Sequence, residues 1–195
     1  MSSLQKGEVM MRVIAGTCKA RPLKPVPGRS TRPTTDKVKE TLFNIIGPYF
    51  DGGQVLDLYG GTGGLGIEAL SRGMEKAVFT DMSGAAIRTI KENLQICGFT
   101  DQAEVYRMEA GKALTLLGKR EEKFNLIFLD PPYAKAHFER DFASIIKYQL
   151  LTGGGMIIAE HDAKIFLPEE WENAIVQWRR EVYQGYTAIT FYQHK

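Results

Sequence analysis

A chain of 195 residues, 44% hydrophobic and 25% charged, has the apolar content for one well-packed domain and too little length for two of ordinary size. Its apolar runs fall short of the roughly 20 residues that span a bilayer, and no basic-then-apolar leader opens it. The expectation is a soluble, unexported, cytoplasmic monomer without a membrane partner. Cys18 and Cys97, the two cysteines, lack CxxC spacing, which points away from a disulfide framework and from bound metal. The net charge of +2 conceals a segregation: residues 1–40 carry nine basic and three acidic side chains, a local +6. The sign of a patch, more than the total, selects a partner.

Taken in chain order, Met11 to Ala15 and Arg21 to Val26 read as two short strands joined around Gly16 to Lys19, a basic hairpin whose prolines exclude a helix. Such an arm, spanning 11–33 ahead of a catalytic core at 34–195, can track phosphates; a solvated basic extension explains its charge equally well. Thr34 to Ile46 places Val38, Leu42, Ile45 and Ile46 at helical spacing, with Thr34 or Thr35 as N-cap and Gly47-Pro48 as the stop. Beyond Gln54, strand-like runs at Val55 to Tyr59, Ala77 to Thr80, Ala103 to Met108, Phe124 to Leu129 and Gly155 to Ala159 alternate with helical segments. These are Leu65 to Arg72, Ser83 to Cys97, Gly111 to Leu117 and Phe138 to Leu150. That alternation predicts a single α/β domain, a doubly wound, Rossmann-like, mostly parallel sheet covered on both faces. Ala174 to Tyr183 and Tyr186 to Gln193 are separated only by Gln184-Gly185, which permits a hairpin and predicts one antiparallel strand closing the sheet.

The turn from the first strand into its helix reads Asp57-Leu58-Tyr59-Gly60-Gly61-Thr62-Gly63-Gly64-Leu65-Gly66, where glycines let backbone approach a ligand. From Gly61 it also spells G-x-G-x-x-G, and Asp81 follows where a carboxylate can hold ribose hydroxyls, so the loop by itself admits NAD. Asp57 separates the two readings: a carboxylate opposes a pyrophosphate but favours the ammonium and sulfonium of S-adenosylmethionine. Asp57, Tyr59, Gly61 and Gly63 meet a D-x-[FY]-x-G-x-G pattern. Asp81 with Met82, and Glu109 with Ala110 after the third strand, complete the expected cofactor pocket. An exposed Glu opening a helix is equally explained by the helix dipole.

Phe124 to Leu129 delivers Asp130-Pro131-Pro132-Tyr133 to the same sheet edge. The prolines remove two N–H groups and leave the Pro131 carbonyl as a rigid acceptor. An exocyclic base amine is a better nucleophile when acceptors hold its protons, and Asp130 with that carbonyl supplies two. Tyr133 offers a ring to a base rotated out of its stack. In isolation the tetrapeptide reads as a strand-to-loop turn; one strand beyond a matching cofactor loop, it reads as an amine-methylation site.

The chain resembles the RsmD-type family of bacterial 16S ribosomal RNA guanine-N2 methyltransferases. The likeness runs from Arg12 to Tyr192 and rests on Arg12 to Gly16 with Lys19 to Pro22, on Arg32 to Asn44, on Leu56 to Leu70 continuing into Ser71 to Gly73, and on Asp130 to Tyr133. It implies methylation of N2 of a guanine in the small ribosomal subunit or an assembly intermediate. Asp57, Gly61 and Gly63 would serve the cofactor, Asp81 its ribose, and Asp130 with Tyr133 the guanine. Lys19, Arg21, Lys24 and Arg32 would bind RNA. Gly60 stands where members often carry alanine, and Glu109 where Asn or Asp is frequent.

Glu160-His161-Asp162 pairs with no nucleophile, so His161 reads as a satisfied loop histidine; His137 reads as a helix-start surface residue, and Trp171 and Trp178 as packing or surface residues. Three other functions fit parts of the pattern. An adenine-N6 or glutamine-amide methyltransferase shares the tetrapeptide, a non-catalytic ribosome-assembly factor shares the basic arm, and an NAD-dependent oxidoreductase shares the glycines.

Overall fold

A computed structural model describes residues 11–28, 36–132 and 136–195. Five strands run parallel: β1 (Gln54–Asp57), β2 (Lys76–Asp81), β3 (Ala103–Arg107), β4 (Phe124–Leu129) and β5 (Leu151–Asp162). Helices α2 (Gly64–Ser71), α3 (Gly84–Cys97), α4 (Ala110–Lys119) and α5 (Phe138–Lys147) connect them, and α1 (Asp36–Ile46) precedes them. The order is β3-β2-β1-β4-β5-β8-β7-β6. Its direction of growth reverses between β1 and β4, the switch point where open α/β sheets bind ligands.

Side chains alternate across the pleat. Val55, Phe79 and Phe128 join a core with α1, α2 and α3, while Leu56, Val78 and Ile127 join a second with α4 and α5. Ser83 caps α3, its hydroxyl accepting from the Ala86 N–H at 3.3 Å, and Gly98 ends it with φ +73°, the left-handed stop that glycine permits.

Two expectations need correction at the sheet's far end. Three antiparallel strands close it, not one: β8 (Thr187–His194) lies beside β5, β7 (Ile175–Tyr183) beside β8, and β6 (Glu170–Trp171) at the edge. The buried run Ala188 to Tyr192 needs cover on both faces, which an interior position supplies. Strand β6 has only two residues, too few for any period to show. His161 is no loop residue either. It lies buried within the long β5, its Nε2 2.8 Å from Thr190 Oγ1 and its Nδ1 2.9 Å from the Asp162 carbonyl.

No strand pair forms in the described part of the amino-terminal arm. A single antiparallel bridge, Arg12 to Pro22, closes it, since Pro22 and Pro25 cannot donate to a ladder and other donors turn to the core. The Ile14 and Ala15 N–H groups reach Glu68 at 2.8 and 3.0 Å, Cys18 N–H reaches Ser71 Oγ at 2.9 Å, and Lys24 N–H reaches Asn93 Oδ1 at 2.8 Å. Val13, Cys18, Leu23 and Val26 point inward. The fold also brings the Cys18 thiol to Cys97 on α3; burial pushes Cys97 up to about 12, and the neighbouring thiol adds to that shift.

Candidate active site

A cleft of about 1270 Å³ opens at the carboxyl ends of β1, β2 and β4. Its floor is the glycine loop. Gly63 adopts φ +80° at the α2 N-terminus and Gly61 φ +56°, conformations that disfavour a Cβ. The Gly60 N–H donates to the Thr80 carbonyl at 2.8 Å and the Gly63 N–H to the Gly60 carbonyl at 2.6 Å, so the loop is held before any ligand arrives. Gly60 and Gly61 line the cleft, with Thr62 and Gly64. Gly63 lies behind them, a Cβ there falling 3.2 Å from Ile67 and 3.4 Å from Ile90.

Asp57 is buried beneath this loop and accepts the Gly66 N–H at 3.1 Å, tying strand end to helix start. Burial raises its carboxyl to about 8; the Gly66 hydrogen bond opposes the rise, and the Asp130 and Asp81 charges add to it. Asp81 accepts the Gly61 N–H at 3.0 Å and the Ser83 N–H at 2.7 Å, one on each oxygen. Asp130, half-buried, is raised to about 6 by burial. Three carboxyl groups therefore converge on one cleft; a cationic, phosphate-free cofactor would favour their ionised forms, whereas a pyrophosphate would oppose them.

On the α4–α5 side the cleft is lined by Tyr59, Met82, Met108, Glu109 and Ala110. The Tyr59 hydroxyl donates to Asp141 at 2.5 Å; burial and that carboxylate raise the phenol well above its ordinary range. Glu109 accepts the Lys112 N–H as the α4 cap and pairs with Arg140 at 2.7 Å. Burial raises its carboxyl, but the Gly111 N–H and Arg140 outweigh that and hold it below the ordinary value. The cap and ion pair engage both of its oxygens, which leaves Met108 and Ala110 as the apolar walls.

Asp130 and Pro132 line the cleft and Pro131 is buried beside them, while Tyr133 lies outside the described residues. Lys19, Arg21 and Lys24 are exposed on the arm, Lys24 pairing with Glu92 at 2.9 Å; Arg32 lies outside the described residues. His137 lines the cleft just before α5. Trp171 is buried and stacks on Phe142, whereas Trp178 is exposed. Among the described residues no cluster of metal-ligating side chains forms and no helix is long and apolar enough to cross a membrane.

Sequence reasoning missed the buried polar residues that carry the site. Glu68 is fully buried on α2, bound to Arg72 at 2.8 Å and Lys39 at 3.5 Å as well as to the arm. Burial lowers the Lys39 ammonium, and the Glu68 charge and hydrogen bond oppose that. Asn93 on α3 donates to the Thr62 carbonyl of the glycine loop at 2.9 Å. A lone acid inside the apolar run Leu65 to Leu70 was the available signal for Glu68; Asn93 has none, because its partners are 31 and 69 residues away.

The family model for "Conserved hypothetical protein 95" matches residues 11–193. The chain is 51% identical to "Putative rRNA methyltransferase YlbH" of Bacillus subtilis over 95% of its length and 100% of the relative's. It is 33% identical to "Ribosomal RNA small subunit methyltransferase D" of Escherichia coli K12, over 97% of this chain and 92% of that one. A solved structure titled "Putative methyltransferase yhhF from Escherichia coli" superposes with a TM-score of 0.80 at 32% identity, covering 95% of this chain and 98% of the other. With an acidic, glycine-floored cleft at the switch point and these likenesses over nearly its whole length, the chain belongs to the Conserved hypothetical protein 95 family, the RsmD/YlbH group of S-adenosylmethionine-dependent methyltransferases.

Proposed function

We propose that this protein methylates the exocyclic N2 amine of a guanine in 16S ribosomal RNA, acting on the small ribosomal subunit or a precursor of it. The observation that carries the reading is the meeting of Asp57, Asp81 and Asp130 in one cleft, beside an arm whose Lys19, Arg21 and Lys24 stay exposed. The acids suit a cationic cofactor, and the bases suit a phosphate backbone. Relatives from Escherichia coli and Haemophilus influenzae, named as small-subunit ribosomal RNA methyltransferases, support the choice of acceptor.

Asp57 holds the loop, Asp81 meets the ribose, and Met82, Met108 and Ala110 enclose the adenine side. When bound, S-adenosylmethionine would supply an electrophilic methyl, the carbon–sulfur electron pair staying on the neutral thioether. Asp130 and the Pro131 carbonyl accept the two amine protons and aim the nitrogen lone pair at that methyl; orientation is the main rate factor they contribute. Asp130, already accepting from the amine, would take the surplus proton once the nitrogen carries the methyl. Tyr133 gives the unstacked base a ring to lie on.

The test compares ribosomal RNA nucleosides by mass spectrometry in cells with and without the protein. N2-methylguanosine should fall in its absence, return with the wild-type chain and stay low with Asp130→Ala, which also separates catalysis from a binding-only role. Unchanged N2-methylguanosine sinks the guanine assignment. S-adenosylhomocysteine should raise the thermal midpoint and NAD should not.

A further inference from the structure

We infer that Glu160 reads the Watson–Crick edge of the acceptor base, accepting the N1–H that guanine carries and adenine lacks. The inference rests on the guanine-methylation reading above. Strands β4 and β5 are paired in parallel with Leu129 opposite Ala159, so Asp130 and Glu160 are the next two residues at the carboxyl edge, about 4.8 Å apart by strand spacing. They continue the alternation of Phe128 and Ile158, which face the α1–α3 core, so both project to the same side of the sheet. Both line the cleft.

The wall continues past Glu160 with Tyr183, at the end of β7. Its ring packs against the same core, and its hydroxyl is buried without a hydrogen-bond partner. Burial raises the Tyr183 phenol, with the Glu181 and Glu160 charges adding to the shift, which keeps it a donor and places Glu160 within electrostatic reach. Asp130 and Glu160 thus form a pair of neighbouring acceptors, and Tyr183, two strand spacings away across β8 and level with Asp162, lines the far side of the same cleft as a donor. Guanine presents the complement along one edge: the N2 amine, N1–H and the O6 carbonyl. Adenine offers its amine beside an unprotonated N1, and cytosine its amine beside an unprotonated N3, so each would set a lone pair against the Glu160 carboxylate. A polar site rejects a base it cannot satisfy more strongly than an apolar pocket does.

The experiment uses small-subunit particles carrying either guanine or 2-aminopurine at the methylated position mapped by mass spectrometry. 2-Aminopurine keeps the N2 amine but has an unprotonated N1 and no O6. The wild-type enzyme should favour guanine by about tenfold or more in kcat/KM, the range of one hydrogen bond to a charged group. Glu160→Gln, whose amide can donate to a bare N1, should narrow that ratio to about threefold or less. Tyr183→Phe should slow guanine and leave 2-aminopurine unchanged. Because each ratio is taken within one protein, any loss of folded enzyme cancels. A wild-type enzyme indifferent to the two bases, or a Glu160→Gln enzyme with the wild-type ratio, overturns the role of Glu160. Absence of N2-methylguanosine from wild-type reactions would instead overturn the guanine reading beneath it.

Discussion

Asn93 holds Lys24 by both of its backbone groups, accepting the N–H at 2.8 Å and donating to the carbonyl at 3.1 Å. The same amide nitrogen donates to the Thr62 carbonyl at 2.9 Å, so one fully buried side chain fastens the basic arm to the glycine loop. Asn93→Ala leaves a buried N–H and two carbonyls short of a partner, at a cost of about 1–3 kcal/mol. For a domain of this size each kcal/mol lowers the midpoint by about 2–4 °C. Titration calorimetry should also show weaker S-adenosylhomocysteine binding, since Thr62 lines the cleft; a lowered midpoint with unchanged affinity would show that the arm and loop are not coupled.

Glu68 organises the neighbouring junction. Its carboxylate accepts from Ile14 and Ala15 and faces the buried cations Lys39 and Arg72. Glu68→Ala strands both cations in a dry interior, and breaking a buried pair in this way costs about 3–5 kcal/mol. Urea denaturation should show that loss directly. Glu68→Gln, which keeps an acceptor oxygen, should lose less.

Two glycines of the cofactor segment should respond oppositely to alanine. A Cβ on Gly66 would fall 2.3 Å from Phe79 Cε1 and 2.7 Å from its Cζ. That ring is buried in the core and cannot yield cheaply, so Gly66→Ala should destabilise by about 1–3 kcal/mol and weaken cofactor binding. On Gly60 a Cβ would meet only the terminal Ile90 Cδ1 at 2.9 Å and the Thr80 carbonyl oxygen at 3.3 Å, contacts that a shift of a few tenths of an ångström relieves, and Gly60 is not among the positive-φ residues. Gly60→Ala should therefore keep near-normal activity, with a midpoint within a few degrees of the parent. Paired melting curves and kcat/KM values check both.

The buried acids set a pH dependence of known sign. Asp57 is raised to about 8 and Asp130 to about 6, whereas an unfolded Asp titrates near about 3.9. The folded chain binds more protons than the unfolded one between those limits, so these groups stabilise most below about pH 4, and that contribution falls as pH rises toward about 8. Thermal midpoints of the ligand-free protein should decline across this window, and Asp57→Asn should flatten the decline. Methyl transfer should follow the opposite course over its lower part, kcat/KM rising with an apparent pKa near about 6 as Asp130 ionises.

Local pattern was enough for most of the core. The alternation of buried runs such as Phe124–Leu129 with amphipathic helices dictated a doubly wound sheet, because each short apolar strand can be covered only by the helices that flank it. Gly61 and Gly63 marked the cofactor turn because the positive φ each adopts is a conformation that residue type favours. Tertiary structure decided the rest. Whether β8 lay inside the sheet or at its edge depended on which strand it paired with, and the arm gave up its own ladder because Glu68, Ser71 and Asn93 offered its N–H groups better partners. Glu160 came to lie beside Asp130 only through the register of two strands some 30 residues apart in sequence. Periodicity reports which face a residue takes; which distant residue it meets there depends on strand pairing and burial, and those exist only once the chain has folded.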